Sequence, residues 1–333
     1  MISTERNHAI SAMRVLAMLM IISFHSLCFY THRWWSLGGI FVPVWDKTAI
    51  LLNAIDLPMF TFISGFLFGH LYIKGKYHKW QPFLQGKAHR LLVPYLFWGI
   101  FLVITMPSLH EWQNLLTGIS HLWFLLMLLE IFAIIITFAD FLCLKATKRQ
   151  AIVVISGAYA IFLIYHTISK HHSFLCIDTT LNYLPAFLVG LFCARFDAYR
   201  YLSANWAIRL FLISLISLAF YCYAIPPLSF YANDILLRLL GYAIVMALFS
   251  LLYNTVFNEQ LYKIIVHFDR LSMGIYIFNQ ICVNILLLAP NSVAFLNQHY
   301  QIGPIIIFAV GFFIPWLLSY IFNSSKYVKW TIG

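Results

Sequence analysis

Long apolar segments recur along this chain, and each is about as long as a membrane is thick. A helix needs about 20 mainly apolar residues to cross the hydrocarbon core of a bilayer, where irregular backbone is not tolerated. The segments lie near residues 9–30, 48–71, 91–107, 120–142, 150–167, 179–195, 206–225, 235–257, 271–289 and 303–322. We therefore predict an all-α protein that crosses a membrane with about ten helices.

The composition indicates that lipid is the solvent of this chain. Of its 333 residues, 62% are hydrophobic and only 10% are charged, which leaves too much apolar surface for a water-soluble exterior. No connection between the apolar segments reaches about 40 residues, the length below which a chain rarely folds alone. Residues 1–333 are therefore predicted to form a single membrane domain.

The cations indicate how the predicted helices are oriented. Cytoplasmic loops of membrane proteins accumulate Lys and Arg, and a cytoplasmic N-terminus places most of the 21 cations of this chain on the cytoplasmic side. Only Arg33, Lys47 and Lys170 then lie on the other side. We therefore predict an even number of spans with both termini in the cytoplasm. The net charge of +10 follows from this topology, so no nucleic acid is expected as a partner.

The cysteines give no indication of a metal site or of a disulfide framework. They are scattered, mostly inside apolar segments, and none forms the close pair that a structural zinc site needs. The six are Cys28, Cys143, Cys176, Cys193, Cys222 and Cys282. We expect them to be buried apolar residues and predict no metal cofactor.

The first apolar segment carries two ionisable residues, Arg14 and His25, in the sequence RVLAMLMIISFH. Ionisable residues inside a membrane helix are costly and often functional. Eleven residues correspond to about 20° more than three full turns, so both side chains share one face, about 16 Å apart along the axis. The spacing alone leaves a second interpretation open, in which Arg14 reaches the headgroups and His25 is a structural interior residue.

Several short motifs in chain order resemble those of one family, the acyltransferase-3 family of membrane acyltransferases. The first is the Arg14 to His25 spacing. The others are LPMFTFISGFLF at 57–68, KAHRLLVPYLFW at 87–98, HLWFL at 121–125, LPAFLVGLFCAR at 184–195 and LSMGIYIFNQ at 271–280. The family's ten-helix layout agrees with the count above. In many relatives the last motif ends in histidine, where this chain has Asn279, so no role is carried over to that position.

The resemblance implies an enzyme that moves an acyl group, commonly acetyl from acetyl-CoA, to a hydroxyl of a cell-surface or lipid-linked glycan. It implies a multi-pass protein of the bacterial inner membrane, with acyl-CoA, a glycan or lipid-linked sugar, and membrane lipid as partners. A hydroxyl needs a base to become a good nucleophile at neutral pH, and histidine suits that task. His25 is the candidate catalytic base.

The donor carries phosphates, so its site is expected to be cationic and cytoplasmic. Lys87 and Arg90 lie three residues apart on one face at the start of the third predicted helix, and Arg14 opens on the same side of the membrane. With the resemblance, these three are the candidate ligands of the acyl-CoA phosphates. Without it, positive-inside anchoring is the favoured explanation of these cations.

Two further residues are candidates for the catalytic site. His121 lies beside Trp123 at the outer end of the fourth span, where it either orients the acceptor or belongs to an interfacial belt. Asp56 lies deep in the second span, where it either orients His25 or caps the helix.

Two other mechanisms fit the same residues. A transporter or flippase for a glycan or lipid would also place polar groups inside the membrane, although the paired broken helices of many transporters are not visible here. Within the acyltransferase family, the acyl group could pass through a covalent intermediate on Ser64 before its release.

Overall fold

The computed structural model describes residues 4–32, 38–77, 79–106, 111–168, 175–226, 228–289 and 291–333, and of residues 4–7 it describes only the backbone. The described residues are helical and contain no strand, which confirms the all-α prediction. Their α-helices are α1 (Thr4–Cys28), α2 (Pro43–Asn53), α3 (Asp56–Ile73), α4 (Trp80–Thr105), α5 (Asn114–Thr117), α6 (Trp123–Thr137), α7 (Lys148–Ile168), α8 (Ile177–Arg195), α9 (Ala204–Ala224), α10 (Phe230–Asn254), α11 (Glu259–Leu288), α12 (Ser292–Gln298) and α13 (Gly303–Ser324).

Among the described residues, ten segments are long and apolar enough to cross a membrane. This number confirms the predicted count of spans. The cytoplasmic position of both termini stays a prediction, and Arg33 and Lys170, two of the three cations predicted on the outer side, lie outside the described residues.

The second predicted span is two helices, because α2 ends at Asn53 and α3 begins at Asp56. Pro58 lies in the first turn of α3 and has no N–H, so the helical hydrogen bond to the carbonyl of Ala54 is missing at this point. The same carbonyl is approached by Gly241 of α10, where a Cβ would lie 2.0 Å from it. The break between α2 and α3 therefore coincides with a proline and with a close helix contact, and the hydropathy pattern does not reveal it.

The chain forms two compact units. The first contains residues 1–60 and 202–322, and the second contains residues 61–201 and 323–333. The prediction of a single membrane domain stays a prediction.

Helix α1 is at the centre of the first unit, where it contacts α2, α10 and α11. Met18 and Ile22 of α1 pack against Leu271 and Ile275 of α11, and all four side chains are buried. The residue numbers increase together along this contact, so α1 and α11 run parallel. At 30 residues, α11 is about 45 Å long, which exceeds the thickness of the hydrocarbon core.

In the second unit, α3 and α8 approach each other through reciprocal glycine contacts. A Cβ on Gly65 would lie 1.9 Å from the carbonyl oxygen of Phe187, and a Cβ on Gly190 would lie 2.0 Å from that of Phe62. Small residues permit such backbone contact between membrane helices. The glycine in the Ser-Gly-Phe motif is therefore required for packing.

Candidate active site

The Arg14 and His25 side chains both face α11, which confirms that they share one face of α1. Arg14 Nε lies 3.1 Å from Asp269 Oδ1, and Ser11 Oγ donates a hydrogen bond of 2.6 Å to Asp269 Oδ2. His25 contacts α11 ten residues further along, at Asn279. Buried apolar residues fill the space between these two polar contacts. One polar contact therefore lies towards each end of the α1–α11 interface.

The Asp269 carboxylate compensates the charge of Arg14, whose side chain is about one third exposed. A guanidinium paired with a carboxylate is a weaker ligand for a phosphate than one without such a partner, because the carboxylate repels the phosphate. The predicted contact of Arg14 with the acyl donor stays a prediction. The pair also accounts for the presence of Asp269 in a helix that is otherwise mostly apolar.

His25 is buried in the first unit, and its Nδ1 lies 2.5 Å from Asn279 Oδ1. Asn279 is 1% exposed, and its Nδ2 donates a hydrogen bond of 2.8 Å to the carbonyl oxygen of Gly311 in α13. The imidazole is thus held by a polar side chain that has a second fixed partner. A side chain held in this way is suited to proton transfer at one defined atom.

Asp56 is fully buried at the N-terminus of α3, where its Oδ1 accepts a hydrogen bond of 2.6 Å from the backbone N–H of Leu57. This hydrogen bond agrees with the interpretation of Asp56 as a helix cap, since the first N–H groups of a helix lack partners within the helix. Within the described residues, Asp56 makes no hydrogen bond with His25, whose ring is bonded to Asn279. An orienting role for Asp56 stays a prediction without a supporting contact.

His121 belongs to the second unit, in a 3₁₀ turn at Ser120–Leu122 that leads into α6. Its side chain is 5% exposed, and Nδ1 lies 3.3 Å from Ser120 Oγ. A buried ring does not match the interfacial belt interpretation, because belt residues extend into the headgroup region. Its role towards the acceptor stays a prediction.

The second unit also contains a basic cavity of about 580 Å³. The cavity is formed where α3 ends and α4 begins, and its lining residues are Gly75, Lys76, Tyr77, Lys79, Pro82, Phe83, Gly86, Lys87 and Arg90. Its volume is typical of a small-molecule site. The structure therefore brings together Lys87 and Arg90, two of the three predicted donor ligands, and adds Lys76 and Lys79 to them.

The backbone at the end of α3 determines where the lysines of this cavity lie. Gly75 has a φ of +77°. The N–H of Lys76 donates a hydrogen bond to the carbonyl of Leu71, and the N–H of Gly75 donates one to the carbonyl of Tyr72. These contacts are the Schellman motif, in which glycine adopts the left-handed conformation after the last helical turn. The chain reverses here, so that Lys76 and Tyr77 face the first turns of α4.

Lys87 is half-buried, and its ammonium lies 4.1 Å from the centre of the Phe132 ring and 5.5 Å from that of Phe83. A cation over an aromatic face is stabilised by the ring quadrupole. Within the described residues, neither Lys87 nor Arg90 has a carboxylate partner, and residues 57–110 contain no Asp or Glu. Lys87 and Arg90 are therefore cations without a carboxylate counter-charge in the described part of the chain.

Tyr77 provides a neutral aromatic group beside these cations. Burial raises the pKa of its phenol, although the nearby Arg90 acts in the opposite direction. The phenol therefore remains protonated at neutral pH and can donate a hydrogen bond. The cavity combines cations, a hydrogen-bond donor and aromatic rings, which suits a phosphate-bearing ligand with a planar base.

Thiols in the connections between the spans do not compete as nucleophiles. Burial raises the pKa of Cys143 and Cys176 to about 12, so both remain protonated at neutral pH. Among the described residues, no group of three or more His, Cys, Asp or Glu side chains is arranged to hold a metal ion.

Comparison with known families determines what kind of protein this is. The model of the acyltransferase-3 family, which is described as an acyltransferase domain, matches residues 7–324 of the 333 residues. The chain belongs to this family. The match extends from α1 to the last residue of α13, and with the ten apolar helices it makes the chain a multi-pass membrane acyltransferase. No curated protein and no solved structure matches the chain.

The sequence left two residues of this acyltransferase's candidate site without a role. Asp269 has no role in the sequence analysis, because it precedes the predicted ninth span as an ordinary loop acid would. Asn279 is marked in the sequence only by its departure from the family pattern. The spacing in α11 contained a signal, since Asp269 and Asn279 are ten residues apart and Arg14 and His25 are eleven apart on a parallel helix.

Proposed function

We propose that this acyltransferase moves an acyl group, acetyl being the expected one, from acyl-CoA to a hydroxyl of a cell-surface or lipid-linked glycan. In this proposal the protein lies in the inner membrane of a bacterial cell. The donor binds from the cytoplasm, and the acceptor is an extracytoplasmic sugar. The family supports the acyl transfer, and the residues described above support the finer assignments.

The basic cavity is the single observation that supports acyl-CoA as the donor. Four of its lining side chains are cations, and the described residues give Lys87 and Arg90 no carboxylate partner. Coenzyme A has three phosphate groups, and Lys and Arg bind such groups through charge-assisted hydrogen bonds. Phe83 and Tyr77 provide aromatic surface for its adenine ring. In the proposed complex, Lys87 and Arg90 bind the phosphates.

His25 acts as the general base in the proposed reaction. It takes the proton of the acceptor hydroxyl while the hydroxyl oxygen forms a bond to the thioester carbonyl carbon. The carbon–sulfur bond then breaks, the coenzyme A thiolate leaves, and the proton on His25 is passed to that sulfur. The products are an O-acyl ester and free coenzyme A, and His25 returns to its neutral form.

Acyl analysis of the cell surface tests the proposal. The O-acyl content of the surface polysaccharide is compared in the organism that makes this chain, in a strain that lacks it, and in that strain carrying wild-type or His25→Ala protein. We expect O-acyl groups to be lost in the deletion strain, restored by the wild-type gene and not restored by His25→Ala. His267→Gln is the matched control. His267 is a half-buried histidine of the same unit, and its Nε2 accepts a hydrogen bond from Trp316.

Two results would overturn the proposal. Unchanged acyl groups on both polysaccharide and lipid in the deletion strain would favour a transport function instead. Full restoration by His25→Ala, at a membrane level equal to that of the wild type, would remove His25 from the chemistry.

A further inference from the structure

A chain of two hydrogen bonds links three helices inside the first unit. His25 of α1 contacts the side-chain amide of Asn279 in α11, and that amide contacts the backbone carbonyl of Gly311 in α13. Both His25 and Asn279 are buried, so bulk water does not compete with these bonds. The direction of the two bonds determines which nitrogen of His25 carries a proton.

The carbonyl of Gly311 is an acceptor for Asn279 because of a proline one turn later. In an α-helix this carbonyl would accept the N–H of residue 315, and Pro315 has no N–H. Gly311 also provides the space, since a Cβ at this position would lie 2.6 Å from Asn279 Nδ2. The pair Gly311 and Pro315 thus forms an acceptor site for an amide.

The orientation of the Asn279 amide follows from its two partners. A carbonyl oxygen only accepts hydrogen bonds, so the NH₂ group faces Gly311, 2.8 Å away. The amide oxygen therefore faces His25 Nδ1 at 2.5 Å. Because that oxygen also only accepts, Nδ1 must be the donor and must carry a hydrogen. A neutral imidazole has a single N–H, so Nε2 is the nitrogen that can accept a proton.

We infer that Asn279 is a positioning residue that holds neutral His25 in the Nδ1–H tautomer, so that Nε2 is the atom that takes the proton of the acceptor hydroxyl. Asn279 orients the ring without adding a charge to the buried site, as a carboxylate would. The catalytic part of this inference rests on the proposed function, whereas the tautomer does not.

Nuclear magnetic resonance of the full-length protein in lipid nanodiscs reads the tautomer directly. The protein is labelled with ¹⁵N-histidine, and the signal of His25 is identified by its loss in His25→Gln. We expect wild-type His25 to show a protonated Nδ1 and an unprotonated Nε2. A protonated Nε2 in the wild-type protein would overturn the inference whether or not the protein transfers acyl groups.

Variants of Asn279 test its role in turnover. Asn279→Leu keeps the approximate volume and removes both hydrogen bonds, so we expect a mixture of tautomers and a loss of kcat of roughly 10-fold or more, with KM for acetyl-CoA unchanged. Asn279→His should recover most of the activity, since a neutral imidazole also donates at one nitrogen and accepts at the other. Asn233→Leu, which removes a hydrogen bond with Tyr221 in the same unit, is the matched control.

Gly311→Ala and Pro315→Ala disturb the same contact without changing Asn279 or His25. The first places a Cβ against the amide, and the second restores an N–H that competes for the Gly311 carbonyl. We expect both to lower kcat and to mix the tautomers. Wild-type kcat in Asn279→Leu would overturn the positioning role. If wild-type His25 shows the expected tautomer and the wild-type protein transfers no acyl group, the proposed function fails and the structural part of the inference stands.

Discussion

The replacement Lys87→Met tests the basic cavity as the site of the acyl donor. Lys87 is half-buried over Phe132, and the described residues give it no carboxylate partner. A ligand phosphate would therefore be its main ionic partner. Methionine keeps the unbranched stem and packs well against aromatic rings, so the change removes the charge with little loss of packing.

The magnitude follows from the type of contact. A hydrogen bond to a charged group contributes about 1.5–3 kcal/mol, and about 1.4 kcal/mol corresponds to tenfold in Kd. Lys87→Met should therefore weaken the binding of coenzyme A about 10- to 150-fold. Arg90 is exposed, so salt and water screen its contact, and Arg90→Met should have a smaller effect.

Calorimetric titration of coenzyme A into protein in nanodiscs measures these constants. Lys74→Met is the matched control, because Lys74 is an exposed cation of the same basic stretch that does not line the cavity. We expect its Kd to stay within about twofold of the wild-type value. Wild-type affinity in a folded Lys87→Met protein, or an equal loss in Lys74→Met, would refute a specific phosphate contact at Lys87.

Three further predictions concern the cavity, the packing and the mechanism. Gly86→Phe should fill the cavity and weaken coenzyme A binding more than about tenfold. Gly86→Ala should bind coenzyme A normally, because its Cβ would meet nothing within 4 Å. Wild-type affinity in the Phe variant would argue against a ligand in the cavity. Gly65→Ala should lower the free energy of unfolding by about 1–3 kcal/mol, and with it Tm, because α3 and α8 must separate. Gly157→Ala should leave Tm unchanged, because the space around Gly157 is open. An unchanged Tm in Gly65→Ala would contradict the close contact. Intact mass after incubation with acetyl-CoA alone should show no adduct, and an acetyl group on Ser64 would establish the covalent route.

The span pattern could be predicted from the sequence because each membrane crossing is a local property. Twenty apolar residues are recognisable without any knowledge of their neighbours, and ten segments of the described residues are long and apolar enough to cross a membrane, as predicted. The shared face of Arg14 and His25 was predictable for the same reason, since helical periodicity is local. The break before Asp56 was not, because prolines also lie inside continuous helices such as α13, and the approach of Gly241 comes from a distant helix.

The partners of the candidate residues could not be predicted, because they depend on the register between helices. Whether His25 meets Asp56 or Asn279 is decided by how α1 packs against its neighbours, and one residue of shift would change the answer. The pairing of Arg14 with Asp269 depends on the same register. The sequence therefore identified the chemical groups, and the structure was needed to show which of them touch.

Transfer of labelled acetyl groups to the glycan tests most directly whether His25 performs acyl transfer from acyl-CoA. Inverted inner-membrane vesicles, which contain the organism's own envelope glycans and lipid-linked sugars, receive acetyl-CoA labelled in the acetyl group, and alkali-labile label is counted in the glycan and lipid fractions. Vesicles with wild-type protein should accumulate such label, and vesicles with an equal amount of His25→Ala should stay at the level of vesicles that lack the protein. Equal labelling by wild-type and His25→Ala protein would contradict a catalytic role for this histidine.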